Sequence, residues 1–267
     1  MTRIIAITNQ KGGVGKTTTA INLCACLARS GSRVLLVDID PQGNATVGSG
    51  VAMRELEQGV YEVLLGESSI EDATVETESG YQLLPSHPDL SGAQVEMQDL
   101  PHRDFMLKAA LKTVADHYDF IIIDCPPALN VLTVNALAAA REVLIPVQCE
   151  YYALEGLSSL LETVDLVRQG LNPELDVLGL VRTMFDSRNS LAGEVAEQLQ
   201  EHFEDRLFRT VIPRNVRLAE APSYGKPVIE YDRLCSGSQA YLALACEVLR
   251  RSPDEVDTDS ADQVEKQ

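Results

Sequence analysis

A doubly wound α/β fold, with a mainly parallel sheet flanked by helices, is what this 267-residue sequence predicts. The first of three observations is that short, continuous apolar runs recur along the chain, as in strands buried on both faces. The second is that stretches of helical spacing lie between them. The third is that the first strand, helix and strand fit within about 35 residues, the length of a βαβ unit.

RIIAIT (3–8) is the first strand. A glycine-rich turn follows, and TTTAINLCACLARSG then has helical apolar spacing with a stopping glycine at Gly31. RVLLVD (33–38) is the second strand and is expected immediately beside the first. VYEVLLG suggests a short helix and YQLLPS a strand, and Asp89 to Ala115 looks helical apart from Pro101. YDFIIIDCPP (118–127) is a further buried strand, and the pattern returns at 142–148, 175–181 and 209–213. Helical spacing covers about 154–169 and 191–203, and a last helix runs near 238–250. Residues 1–251 are expected to form a single domain. The remainder, 252–267, is polar and acidic and is expected to be disordered. Ligands of such sheets bind at the carboxyl ends of the strands.

Charge restricts the choice of partner. The net charge is −18, which argues against nucleic-acid binding over the whole surface. Its distribution is uneven, however. Residues 51–106 hold twelve acidic and two basic side chains, a net of −10, and 252–267 hold six and one, a net of −5. Residues 208–227 hold Arg209, Arg214, Arg217 and Lys226 against Glu220, a net of +3, so a local basic patch is possible. No run reaches the roughly 18 apolar residues of a membrane span, and no secretory signal is visible. The six cysteines, at 24, 26, 125, 149, 235 and 246, form no CxxC pair. Reduced thiols packed in the core of a cytosolic protein are the expectation, rather than a metal site.

KGGVGKTT (11–18) lies between a strand and a helix, the context a phosphate-binding loop requires. Gly12, Gly13 and Gly15 let the chain around Val14 curl, so that successive N–H groups face phosphate oxygens. The helix that follows aims the positive end of its dipole at the same place. Lys16 can neutralise the β- and γ-phosphates, and the Thr17 hydroxyl can bind Mg²⁺. The bland alternative is a glycine turn without a ligand. Such a site needs a further carboxylate at a strand end, and Asp124 closes FIIID. Asp38 and Asp40 in LLVDIDPQGN point to the same side of an extended chain, which could place one near the metal's waters and one on the attacking water. Capping for Asp124 and turn formation before Pro41 for Asp40 are the structural alternatives. Lys11, five residues before Lys16, has no use within one phosphate loop; chemistry alone leaves it as a possible surface charge.

At this point the sequence resembles a known family. KGGVGKTTT is the deviant Walker A loop of the ParA/MinD ATPases, a branch of the P-loop NTPases. VLLVDIDPQGNAT, IIIDCPP, IPVQCEYYALEGL and VIPRNVRLAEAPSYGKPV resemble the chromosomal ParA/Soj group, and the match spans about residues 2–250. The resemblance implies that Lys11 reaches across an ATP sandwich dimer to the partner's nucleotide. It implies nucleotide contacts from Lys11 to Thr18, with Thr17 as the magnesium ligand. Asp40 would activate the water, and Asp38 and Asp124 would hold magnesium through water. Pro213 and Asn215 would contact adenine, and Arg188, Arg217 and Lys226 would bind DNA without reading sequence. It further implies a cytoplasmic, nucleoid-associated ATPase whose ATP-bound homodimer is released from DNA when a ParB-type partner stimulates hydrolysis. Arg214 and Arg217 have a plainer use in capping loops or pairing with Glu220.

Other functions fit less well. A MinD-like membrane ATPase needs a basic amphipathic end, whereas SPDEVDTDSADQVEKQ is acidic. A metabolic enzyme on the same fold, a ligase or an iron–sulfur reductase, is a further reading; the reductase would use Cys125 or Cys149, but both lie in segments that match ParA. A scaffold positioning another cargo remains open on sequence.

Overall fold

The computed structural model describes residues 1–87 and 89–251. Its strands are β1 (Arg3–Ile7), β2 (Val34–Asp38), β3 (Val75–Glu76), β4 (Gln82–Leu84), β5 (Phe120–Asp124), β6 (Glu142–Gln148), β7 (Asp176–Phe185) and β8 (Leu207–Pro213). They form one sheet in the order β3-β4-β2-β5-β1-β6-β7-β8. Every pairing is parallel except β3 with β4. Here one expectation fails: β2 is not beside β1, because β5 lies between them. The crossover helix Lys16–Arg29 leaves a gap of one strand, which a later segment fills. Tertiary pairing decides that gap, and no local pattern encodes it.

Alternation within each strand sends side chains to opposite faces. Ile121 and Ile123 enter one core, while Ile122 enters the other. Helices cover both faces. Lys16–Arg29 and Ser236–Arg250 pack on the face of Ile122, and Ala153–Gly170 and Ser190–Phe203 pack on the other. This burial on both sides explains why the strands read as continuous apolar runs.

The stretch from Asp89 to Ala115 is broken more often than its composition suggests. Helix Leu90–Glu96 passes into a tight turn at Met97–Asp99, and regular helix resumes only at Met106–Val114. Pro101 cannot donate a helical hydrogen bond, and His102 beyond it has a left-handed φ of 59°. A helix at Val131–Ala139 has no signal in the helical spacing. It is buried on nearly all sides, so it lacks the polar face that would reveal its period. Its start is set by Asn130, whose side-chain Oδ1 accepts from the N–H groups of Leu132 (3.0 Å) and Thr133 (3.1 Å).

Parallel register sets the level of the site. Ile7 and Asp38 both pair with Asp124, so the carboxyl ends of β1, β5 and β2 finish together. Of the cysteines, Cys24, Cys26, Cys125 and Cys149 are buried, Cys235 is half-buried and Cys246 is exposed. No helix among the described residues is long and apolar enough to cross a membrane. The acidic end, 252–267, lies outside the described residues.

Candidate functional site

The phosphate loop leaves β1 at Ile7 and enters its helix at Lys16. Gly13 and Gly15 have φ of 73° and 88°, left-handed values that side chains rarely adopt. The first turn of the helix holds no acidic side chain, and no side chain caps it. Its N–H groups and dipole are thus left to an anion. Lys16 is buried, and its ammonium donates to the Lys11 carbonyl at 3.3 Å. Burial holds its pKa below the usual lysine value, against the opposing pull of Asp124, Cys125 and Asp40.

Two fully buried carboxylates lie beside it. The Thr17 hydroxyl donates to Asp124 Oδ2 at 2.8 Å, while Asp124 Oδ1 is buried with no hydrogen-bond partner among the described residues. Burial first, and then the neighbouring Asp38, push the Asp124 pKa well up. Asp38 is also raised by burial, although its hydrogen bonds moderate the shift. Its Oδ2 accepts from the N–H and the hydroxyl of Thr46, both at 2.7 Å, and its Oδ1 accepts from the Asp40 N–H at 3.2 Å. Asp38 therefore braces the loop that carries Asp40. Asp40 is buried; its Oδ1 accepts from the Gln42 N–H at 3.0 Å, and its carbonyl accepts from Ser86 Oγ at 2.7 Å. The turn chemistry before Pro41 is present, yet it engages only one carboxylate oxygen among the described residues. Thr46 and Ser86 escaped the sequence reading because the fold of the chain after Asp40, and for Ser86 a contact 46 positions away, bring them here.

Lys11 is held apart from this pocket. Its ammonium pairs with Glu150 Oε2 at 2.5 Å, and both side chains are partly exposed. Its backbone N–H donates to Asn9 Oδ1 at 2.9 Å, and Asn9 in turn donates to the Pro146 carbonyl at 2.8 Å. Gly12 is exposed within the loop, Val14 is buried, and Thr18 lies in the first turn of the helix.

The remaining predicted residues are anchored locally. Pro213 ends β8 opposite Phe185. Asn215 caps the short helix Val216–Glu220 by accepting from the Arg217 N–H at 2.8 Å, and its amide donates to Ser236 Oγ at 2.8 Å. Arg188 grips Asp186 with bonds of 2.9 and 2.7 Å, which pull the Asp186 pKa down to about 2. Arg217 pairs with Glu220 at 2.8 Å and with Asp232 at 3.4 Å, the plainer use that the sequence left open. Lys226 is exposed. This segment packs against the chain just after the helix Asn44–Gly48, where the Gly50 and Gly225 backbones approach so closely that a Cβ on Gly50 would lie 2.9 Å from the Gly225 carbonyl oxygen.

Comparison with known proteins agrees with this arrangement. An AAA-domain family matches residues 2–177. The chromosome partitioning protein ParA of Myxococcus xanthus is 54% identical over 250 residues, covering 93% of this chain and 88% of its own. The sporulation initiation inhibitor protein Soj of Bacillus subtilis is 54% identical over 249 residues, covering 93% and 98%. A Mycobacterium smegmatis structure described as cobyrinic acid a,c-diamide synthase, with bound ADP and magnesium, matches with a TM-score of 0.83 at 40% identity, covering 94% and 95%. The chain belongs to the ParA/Soj family of chromosome-partitioning ATPases.

Proposed function

We propose that the chain binds ATP with Mg²⁺ at the Lys16 pocket, closes into a homodimer in that state, and binds DNA without reading sequence until hydrolysis separates the subunits. The observation that carries the nucleotide site is the buried, unpartnered Oδ1 of Asp124 beside the Thr17 hydroxyl and the Lys16 ammonium. An oxygen-rich site with two raised carboxylates and one spare buried acceptor suits a hard divalent cation and its waters. Thr17 would hold Mg²⁺ directly, and Asp124 would do so through water. When bound, the ion neutralises phosphate charge and favours the ionised carboxylates.

The chain's own groups do the rest. Lys16 and the loop N–H groups bind and orient the phosphates. Asp38 fixes the Asp40 backbone, and the free oxygen of Asp40 is the group available to orient the attacking water and accept its proton. Lys11 lies outside the pocket on Glu150, so its proposed role toward a partner's nucleotide requires it to leave that pair. Such an exposed pair is worth about 0–1 kcal/mol, a small obstacle.

DNA binding depends on the number of cations that face the phosphates. Arg188 and Arg217 are both paired to local carboxylates, so each must give up or share that pair to meet a DNA phosphate. Dimerisation doubles the cations on one surface, and non-specific affinity depends steeply on that number. Pro213 and Asn215 remain candidates for the adenine end, and Lys226 for DNA. A cytoplasmic, nucleoid-bound protein released by a ParB-type partner follows from this cycle.

The test is DNA binding measured with ADP, with ATP and with a slowly hydrolysed ATP analogue, with and without a ParB-type protein. Binding should need ATP, persist with the analogue and fall when the partner is added with ATP. Equal DNA binding in all three nucleotides would overturn the cycle.

A further inference from the structure

Thr183, near the carboxyl end of β7, is a buried residue 169 positions from the phosphate loop that its hydroxyl touches. The hydroxyl donates to the Val14 carbonyl at 2.7 Å. Its Cβ and methyl group back the next residue, lying 3.8 Å from where a Cβ on Gly15 would stand. The backbone around Thr183 is unusual. Met184 has a φ of 48°, a left-handed value uncommon for a residue with a side chain. The pairing with β8 is irregular here: Arg182 faces Val211 and Phe185 faces Pro213, so three steps on β7 match two on β8. Such irregularities re-aim side chains at the ends of strands. Just beyond it, the Phe185 carbonyl accepts from the Arg214 N–H at 3.0 Å. The end of β7 thus holds the phosphate loop on one side and the Pro213–Asn215 segment on the other.

Peptide geometry gives the contact a consequence. No peptide bond among the described residues is cis. In a planar trans peptide the carbonyl and the following N–H point in opposite directions. Fixing the Val14 carbonyl toward β7 therefore fixes the Gly15 N–H away from β7. Glycine at 15 has a freer backbone than a residue with a side chain, so its orientation gains from being held.

We propose that Thr183 is a positioning residue for the ATPase reaction. Its hydroxyl sets the Val14–Gly15 peptide, and so presents the Gly15 N–H to the phosphates. This role rests on the nucleotide reading of the loop and adds to it a residue from a distant strand. Because a loop N–H binds phosphate before and during hydrolysis alike, losing its orientation should raise KM more than it lowers kcat.

Thr183→Val removes the hydroxyl at nearly constant volume, and Thr183→Ser keeps it. In calorimetric titrations of the full chain with Mg·ADP, Thr183→Val should bind about tenfold more weakly, and Thr183→Ser within about twofold of the unmodified protein. In ATP hydrolysis, KM for Thr183→Val should rise by a similar factor while kcat falls less than about threefold. Thermal denaturation separates this from a packing role, which would lower Tm and leave Kd and KM unchanged in the folded protein. Should Thr183→Val not fold, Thr183→Ala is compared with Thr183→Ser in the same way. Unmodified Kd and KM in a folded variant lacking the hydroxyl would overturn the role, as would a serine variant as weak as the valine one. If the unmodified protein bound neither ADP nor ATP, the nucleotide reading itself would fall.

Discussion

Asp124 has no exposed surface and keeps one carboxylate oxygen without a partner, whereas Arg217 is half-exposed and is gripped by two carboxylates. The two regions place their charge under opposite constraints. In the pocket, Lys16, Asp38 and Asp124 sit where water cannot screen them, and their pKa values are shifted toward neutrality by burial. An arrangement that is costly alone becomes favourable when a phosphate and a cation arrive. Beside Asn215, Arg217 already has its counter-charges in water, so little is gained or lost until a stronger polyanion competes. Buried charge left incomplete points to a specific ligand. Exposed charge that is already paired points at most to weak, salt-sensitive association.

The largest expected effect lies in the pocket. Lys16→Ala should weaken Mg·ATP binding by at least about a hundredfold, since a buried charge-assisted contact is lost. Calorimetric titration checks it, and unaltered affinity would erase the contrast between the two regions. Asp40→Ala comes next. It should leave ATP affinity within about threefold while cutting the hydrolysis rate by about a hundredfold or more, the usual range for losing a general base. Single-turnover hydrolysis measures this directly, and an unchanged rate would shift the role to another group.

Asp124→Asn tests the incomplete charge itself. Its folded pKa lies above the unfolded value, so its contribution to stability is fully present below that unfolded value. The contribution is lost as pH rises through the folded pKa. Replacing it should therefore stabilise the ligand-free chain at pH 8 by about 1–2 kcal/mol, and by less at pH 5. For a chain of this size that is a Tm gain of roughly 2–8 °C. The same variant should lose the extra stabilisation that Mg²⁺ gives with ADP, and thermal scans at both pH values with EDTA or Mg²⁺ would show both effects. Arg217→Glu should have the smallest effect. It should lower ATP-dependent DNA affinity and reduce the slope of log affinity against log salt by about one per chain, without changing nucleotide affinity. A slope equal to that of the unmodified protein would remove Arg217 from the DNA surface.

Much of the pocket is legible because its parts are local. A glycine loop between an apolar strand and a helix places Lys16 and Thr17 without knowledge of the rest of the chain. Asp38 and Asp124 are visible as acids closing buried strands. Asp38 is expected to hold magnesium's waters; in the structure its oxygens also accept from the nearby Asp40 N–H and from Thr46, and the Thr46 contact is one that no spacing rule foresees. The helix Val131–Ala139 was hidden for a different reason, since full burial removes the polar face that betrays a helix.

The sequence by itself determined the class of sheet, the phosphate loop and the acids at its strand ends, because each depends on neighbours a few residues apart. Tertiary structure alone decided that β5 separates β1 from β2, that Asp124 keeps one oxygen unpartnered and that Arg217 also meets Asp232. It also brought Thr183 to Val14 and Glu150 to Lys11. Those outcomes depend on which distant segments share a register or a corner, and such choices are made by packing the whole sheet at once.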